Sequence, residues 1–414
     1  MTRSSAADTD TETEPEADRL SERVREIEPQ QIRVMFELAS EYERETADSD
    51  LVHLEFGEPD FDTPDHVVEA AVEAARNGAT NYTSNAGMPK LREAIAETLS
   101  SERDRPVDPN SEIVVTNGGV EALHLAIHAV ADPGDEIVVP TPAWPNPISQ
   151  AKLADAVPVE VPMPADEGFE PDPERIVDAI GPDTAAVLLT SPSNPTGRVF
   201  PAEAVERVVA AAADRGAYVI ADEVYRELAY EELPPRAVSL AERNERDDWV
   251  LSINSCSKTY AMTGWRVGWL SGPEDVLSQV ETIHESTTSC VNTPAQYAAI
   301  EALTGPQEPF DEMQAAFRER RDYVVDRLES IPRVAAAEPE GAFYAFVDMS
   351  ALEGSSTEVA KRLLYDHEVV AAPGTAFGAG GEGHLRLSFA NDMARLETGL
   401  DRLEEMVRTE PDDE

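Results

Sequence analysis

Apolar positions fall along this chain in two rhythms, short continuous runs and longer amphipathic stretches. The runs lie at 112–116, 136–139, 185–190, 217–222, 249–254 and 266–271, and helix-length segments such as Val120–Val130 separate most of them. Short apolar strands spaced by helices predict an α/β fold, with a mostly parallel central sheet and helices on both faces. The last two runs are too close for a helical crossover, so one of them is expected to run antiparallel. After about residue 306 the rhythm changes to a long charged helix at Glu308–Ser330, a strand at 343–348, a helix at Thr357–Asp366 and a strand at 384–390. That order predicts a smaller α+β domain. The stretch Glu22–Tyr42 reads as a helix packing on it. The expected division is an acidic tail 1–18, an N-terminal segment 19–56 belonging with the small domain, a large domain 57–305, a small domain 306–408 and a second acidic tail 409–414. Both tails lack apolar periodicity and are expected to be disordered.

Composition narrows the function classes. Hydrophobic residues make up 41% of 414, enough for a substantial core, and 82 acidic against 33 basic residues give a formal charge of −49. Nucleic acid and anionic membrane carry the same sign and are disfavoured as partners. The acids are spread along the whole chain, which reads as a solvated surface adapted to high salt. Cys256 and Cys290 have neither disulfide-framework nor metal-site spacing, so a reducing, cytoplasmic setting and no metal are expected. The N-terminus has no apolar signal core, and no apolar run is long enough to span a bilayer.

The charge also exposes an anomaly. The basic residues are almost all arginine; lysine occurs at Lys90, Lys152, Lys258 and Lys361. Lys258 follows a β-type run and is wrapped by small hydroxyl residues and a Gly-Trp-Arg-Val-Gly-Trp turn, a setting in which an amine loses its proton readily and can form an imine. Two further strand ends carry polar groups: Asn194 after the run 185–190, and Asp222 at the end of 217–222. An Asn-Pro pair is commonly a turn and a terminal acid commonly a cap. In an open parallel sheet, however, ligands bind beyond the carboxyl ends of the strands. An amide, a carboxylate and an amine gathered there meet the needs of pyridoxal 5'-phosphate: an amine to hold its aldehyde and a carboxylate to keep its ring nitrogen protonated.

Across residues 22–408 the chain resembles the class I aminotransferases of the fold-type I pyridoxal phosphate enzymes. The resemblance rests on GEPDFDTP (57–64), NYTSNAGMPKLREAIA (81–96), TNGGVEAL (116–123), SPSNPTG (191–197), ADEVY (221–225), SCSKTYAMTGWRVGW (255–269), PEGAFY (339–344), PGTAFG (373–378) and LRLSFA (385–390), in matching order and spacing. It implies that Lys258 bonds the cofactor and then shuttles a proton, that Asp222 pairs with the ring nitrogen, and that Tyr225 and Asn194 reach the 3'-oxygen. For the phosphate it implies the backbone N–H groups of Gly119 and Val120, the hydroxyls of Ser255 and Ser257, and Arg266, expected within a buried run. Tyr82 would reach the phosphate of the neighbouring subunit, which makes the expected assembly a homodimer. Trp144 would lie over the ring. Arg386 would grip the substrate α-carboxylate, with Asn194 and the backbone of Gly57 beside it.

The implied reaction moves an α-amino group from an L-amino acid to a 2-oxoacid such as 2-oxoglutarate, by a ping-pong mechanism. Aspartate, aromatic, alanine-type and branched donors all remain open. Some aspartate-specific members carry a lysine after the Gly-Gly, where this chain has Val120, and Arg33 is the candidate replacement for the distal carboxylate. Two other readings stand beside this one: a C–S lyase on the same fold, and a cofactor-sensing regulatory module, which the short acidic N-terminus and the net charge oppose.

Overall fold

The computed structural model describes residues 20–27, 29–103 and 105–410. In chain order its strands are β1 (Val52–His53), β2 (Ile113–Thr116), β3 (Glu136–Thr141), β4 (Val157–Pro162), β5 (Thr184–Thr190), β6 (Tyr218–Asp222), β7 (Val250–Ser255) and β8 (Gly268–Ser271). They are followed by β9 (Ala335–Ala336), β10 (Tyr344–Asp348), β11 (Val369–Val370), β12 (Ala372–Pro373) and β13 (His384–Ser388).

A seven-stranded sheet runs in the order β2-β8-β7-β6-β5-β3-β4. All neighbours are parallel except β8, which is antiparallel to both β7 and β2, as the short spacing before it requires. Successive side chains of a strand leave the sheet on opposite faces. Ala186 and Leu188 accordingly join a core with the helix Gly119–Val130, while Val187 and Leu189 join another with the helix Ala202–Ala213. Burial on both faces is why these strands read as continuous apolar runs. The strand β4 escapes that pattern because it is a mostly exposed edge strand containing Pro158 and Pro162. An edge strand tolerates residues that cannot donate to the ladder.

The second unit is built on the antiparallel sheet β12-β13-β10-β9, with β1 and β11 forming a separate parallel pair. The expected N-terminal helix is two helices, Glu22–Arg25 and Gln31–Glu45. Pro29 lies between them, and proline cannot continue a helix interior. The longer helix buries Met35 and Ala39 in one core with Phe343, Val370 and Leu385, so the N-terminal segment packs on the small sheet. The disorder expected of 1–18 and 411–414 lies outside the described residues. Thr409, placed in the tail by the sequence, ends the helix Met393–Thr409 instead.

Candidate active site

A cavity of about 290 Å³ opens at the carboxyl ends of β5, β6 and β7, between the large sheet and β13. Register explains the convergence: Thr190 is paired with Asp222 and Asp222 with Ile253, so the segments leaving the three strands start side by side. Asn194, Asp222 and Lys258 all line the cavity, together with Tyr225, Ser255 and Ser257.

Lys258 donates through Nζ to the Gly57 carbonyl, and its ammonium lies 5.8 Å from the ring centres of Tyr225 and Phe343. Burial lowers its pKa to about 8; Arg386 and Arg266 add to that effect, while Glu58 and Asp222 oppose it. Asp222 is buried, and its Oδ1 accepts the Val224 N–H at 3.3 Å. Desolvation, and secondarily the neighbouring Glu223 charge, raise its carboxyl to about 6. Tyr225 exchanges a 2.9 Å hydrogen bond with the Tyr344 hydroxyl, and its burial drives its own pKa well up.

Gly118, at φ +84°, turns the chain into the helix that starts at Gly119. A Cβ on Gly118 would stand 2.3 Å from Arg266 Nη2, so glycine is what lets the guanidinium approach the loop. Arg266 itself has φ +56° and is fixed by the carbonyls of Thr263 at 2.8 Å and Asn117 at 3.2 Å. Its expected place in a buried run is wrong: burial resumes at Val267, and Arg266 is an exposed residue at the end of a short 3-10 turn whose guanidinium faces the cavity. Arg386, on β13, is 2% exposed and not on a solvated face. Nη1 donates to Asn194 Oδ1 at 3.1 Å, Nη2 to the Glu55 carbonyl, and the guanidinium lies 4.4 Å from the Tyr344 ring centre. Gly57, Val120 and Trp144 complete the set of expected residues in the cavity.

Two expected residues stand elsewhere. Tyr82 is 88% exposed and outside the cavity of its own chain. Arg33 is exposed, pairs with Glu37 at 3.1 Å one turn along its helix, and lies over Phe36 rather than in the cavity. Its proposed reach to a substrate carboxylate is therefore corrected.

The family described as aminotransferase class I and II matches residues 49–403. The aspartate/prephenate aminotransferase of Thermus thermophilus is 39% identical over 388 residues, spanning 92% of this chain and 97% of its own. The aspartate aminotransferase of Pyrococcus horikoshii is 36% identical over 394 residues, spanning 94% and 98%. The solved structure of the Thermus thermophilus aspartate aminotransferase with maleate has a TM-score of 0.87 to this chain at 38% identity, covering 93% of this chain and 99% of that one.

The chain belongs to the class I and II aminotransferases. It is a transaminase, and the lyase reading is not favoured.

The donor set of this aminotransferase suits pyridoxal phosphate. The buried Nε of Arg386 has no partner among the described residues, the desolvated Asp222 carboxyl is ionisable with a pKa of about 6, and the first residues of the helix Gly119–Val130 line the cavity together with Ser255 and Ser257. Sequence reasoning missed Tyr344, Gln30 and Ile32, which also line the cavity. Tyr344 lies inside the quoted PEGAFY motif. A Cβ on Gly57 would sit 2.9 Å from its hydroxyl, so an aromatic residue next to a required glycine was the available signal.

Proposed function

We propose that this transaminase is a cytoplasmic, salt-adapted homodimer that uses pyridoxal 5'-phosphate to pass the α-amino group of an L-amino acid, aspartate foremost, to a 2-oxoacid such as 2-oxoglutarate. The reading is carried by the meeting of Lys258, Asp222 and Arg386 in one cavity, the lysine with a pKa lowered to about 8. When bound, the cofactor supplies an aldehyde that takes up the amino group and a protonated ring that accepts electron density from Cα.

The protein's own residues do the rest. Asp222 holds the proton on the ring nitrogen. Lys258 would serve as the general base that takes the proton from Cα and as the general acid that gives it back. Asn194 and Tyr225 hold the 3'-oxygen. The N–H groups of Gly119 and Val120, Ser255, Ser257 and Arg266 hold the phosphate, with Tyr82 contributed across the dimer. Trp144 fixes the ring plane. Arg386 and Asn194, with the Gly57 backbone, orient the α-carboxylate. The small domain, 306–408 with 19–56, closes on the large domain 57–305 and excludes water, since Arg386 and Lys258 act on one substrate from opposite sides.

Aspartate is favoured by the names of the relatives. Among the described lining residues the cations are Lys258, Arg266 and Arg386, each already engaged, which leaves the Gln30 amide and the neighbouring subunit to meet a second carboxylate. A second reading, aromatic donors, is favoured by the apolar Ile32, Val120 and Trp144. Steady-state turnover of aspartate, phenylalanine and alanine with 2-oxoglutarate in high salt decides between them. The highest kcat/KM belongs to aspartate on this proposal; a higher value for phenylalanine transfers it to the aromatic reading, and ammonia release without an oxoacid would overturn both.

A further inference from the structure

Behind the cavity lies an ion network that touches no substrate space. Glu223 directly follows Asp222. Its backbone N–H donates to the Ile253 carbonyl, and its carboxylate accepts Arg236 Nη1 at 2.8 Å and the Ala237 N–H at 3.2 Å. Arg236 is 1% exposed, and its Nη2 meets Glu227 at 3.0 Å and Glu102 at 3.1 Å. The other oxygen of Glu227 accepts the Thr259 hydroxyl at 3.3 Å, and Thr259 directly follows Lys258. One guanidinium thus ties the sequence neighbours of both reactive residues, along the path Asp222–Glu223–Arg236–Glu227–Thr259–Lys258.

The arrangement is poorly explained as a device for stability. A buried ion cluster is seldom more stable than a well-packed apolar one of the same volume, and here the Nε of Arg236 is left buried without a partner. What the cluster does provide is fixed direction. A planar fork holds several carboxylates at set angles, which lysine cannot do. Both tethered positions lie one residue from a group whose placement decides whether chemistry occurs.

We propose that Arg236 is a positioning residue for the transamination site, holding Glu223 away from Asp222 and anchoring the Lys258 loop through Glu227 and Thr259. The proposal rests on the reading of Asp222 and Lys258 given above. The charged and titratable groups facing Arg236 are Glu223, Glu227, Glu102, the last shared with Arg226, and the Tyr260 phenol. Those facing Asp222 are Glu223, Lys258 and Tyr225, and those facing Lys258 are Asp222, Glu58, Arg266 and Arg386. Removing Arg236 leaves Glu223 and Glu227 uncompensated, so protonated forms in the site become easier to keep.

The test uses Arg236→Gln, Arg236→Lys and Thr259→Val in the cofactor-loaded protein at high salt. Two quantities are read: the pH midpoint of the bound cofactor's visible absorbance, and the rate at which stripped protein recaptures pyridoxal phosphate in a form trapped by borohydride. Arg236→Gln is expected to move the midpoint to higher pH by about half a unit or more and to slow recapture. Arg236→Lys keeps the charge and loses the fork, so it is expected to hold the midpoint and slow recapture. Thr259→Val is expected to slow recapture on the order of threefold, the effect of losing one hydrogen bond. A purely structural role predicts a lower melting temperature with the midpoint and recapture unchanged, and that result overturns the proposal. Wild-type recapture in Arg236→Lys and Thr259→Val overturns it as well, even if Arg236→Gln fails to fold. Failure of the wild-type protein itself to capture the cofactor would instead overturn the reading of the site.

Discussion

Asp222 and Lys258 are each held in a protonation equilibrium that their own ionised forms oppose. For Asp222 the folded pKa of about 6 lies above the ordinary 3.8, so the carboxylate is disfavoured by burial. Two units correspond to about 3 kcal/mol. The sign follows from linkage: the cost is fully present above pH 6, shrinks as pH falls through 6, and is gone below about 4. Asp222→Asn is therefore expected to stabilise the cofactor-free protein by about 2–3 kcal/mol at pH 7, with no gain at pH 4. Thermal unfolding across pH checks this, and an equal or lower melting temperature at pH 7 refutes it. Lys258 has the converse sign: with its pKa lowered to about 8, the ammonium is disfavoured and the free amine appears as pH rises. Cofactor capture by stripped protein should accelerate up to about pH 8 and then level off, which absorbance stopped-flow measures; a flat profile from pH 6 to 9 would contradict it. Lys258 was legible in the sequence because no arginine can do its chemistry. Tyr344 was not, because an aromatic residue on a strand reads as core until Gly57 is seen against its hydroxyl. Arg33 misled because sequence does not tell which side of a helix faces a cavity in another part of the fold.

At the scale of elements, strands buried on both faces announce themselves, and β5, β6 and β7 were readable to within a residue or two. What they share is that their polarity is set by helices on either side, a local consequence of composition. The edge strand β4 and the two-residue strands β1, β9, β11 and β12 depend on partners distant in the chain, and no local pattern marks them. The antiparallel β8 was deducible from spacing, yet its tight approach to the phosphate loop was not. A Cβ on Gly268 would come within 2.7 Å of the Gly118 carbonyl carbon and 2.8 Å of the Gly119 nitrogen. Both are backbone atoms, so the loop itself must move. Gly268→Ala should weaken pyridoxal phosphate binding at least about tenfold, the effect of misdirecting one or two N–H donors. Gly264→Ala, by contrast, adds its carbon in open space with nothing within 4 Å and should leave affinity unchanged. Equilibrium dialysis compares them, and equal affinities would show that β8 does not set the loop.

For the whole molecule the controlling quantity is a charge of −49, from 82 acidic and 33 basic residues. Screening length decides how much of it is felt: about 3 Å in 1 M salt and about 30 Å in 0.01 M. In dilute buffer each carboxylate therefore repels others across much of the protein, while in concentrated salt repulsion is confined to near neighbours. Close, partly buried pairs respond much less. Arg320 grips Asp60 through two bonds of 2.6 and 3.0 Å, and the buried Arg236 pairs with the buried Glu223 at 2.8 Å, so neither should weaken greatly as salt rises. The balance favours the folded chain in high salt. For the proposed dimer it favours association even more strongly, because two anionic protomers would have to approach each other and the 88% exposed Tyr82 has a place in the proposed site only across such an interface. Dialysis from 2 M to 0.05 M salt, about a sixfold longer screening length, is expected to dissociate the proposed dimer first, releasing cofactor, and then to lower the melting temperature of the monomer. Light scattering, cofactor absorbance and circular dichroism along one dilution series separate these events. Unchanged mass and melting temperature at 0.05 M would mean that the acidic surface is tolerated rather than required, and loss of fold before loss of mass would mean that repulsion within one chain outweighs repulsion between two.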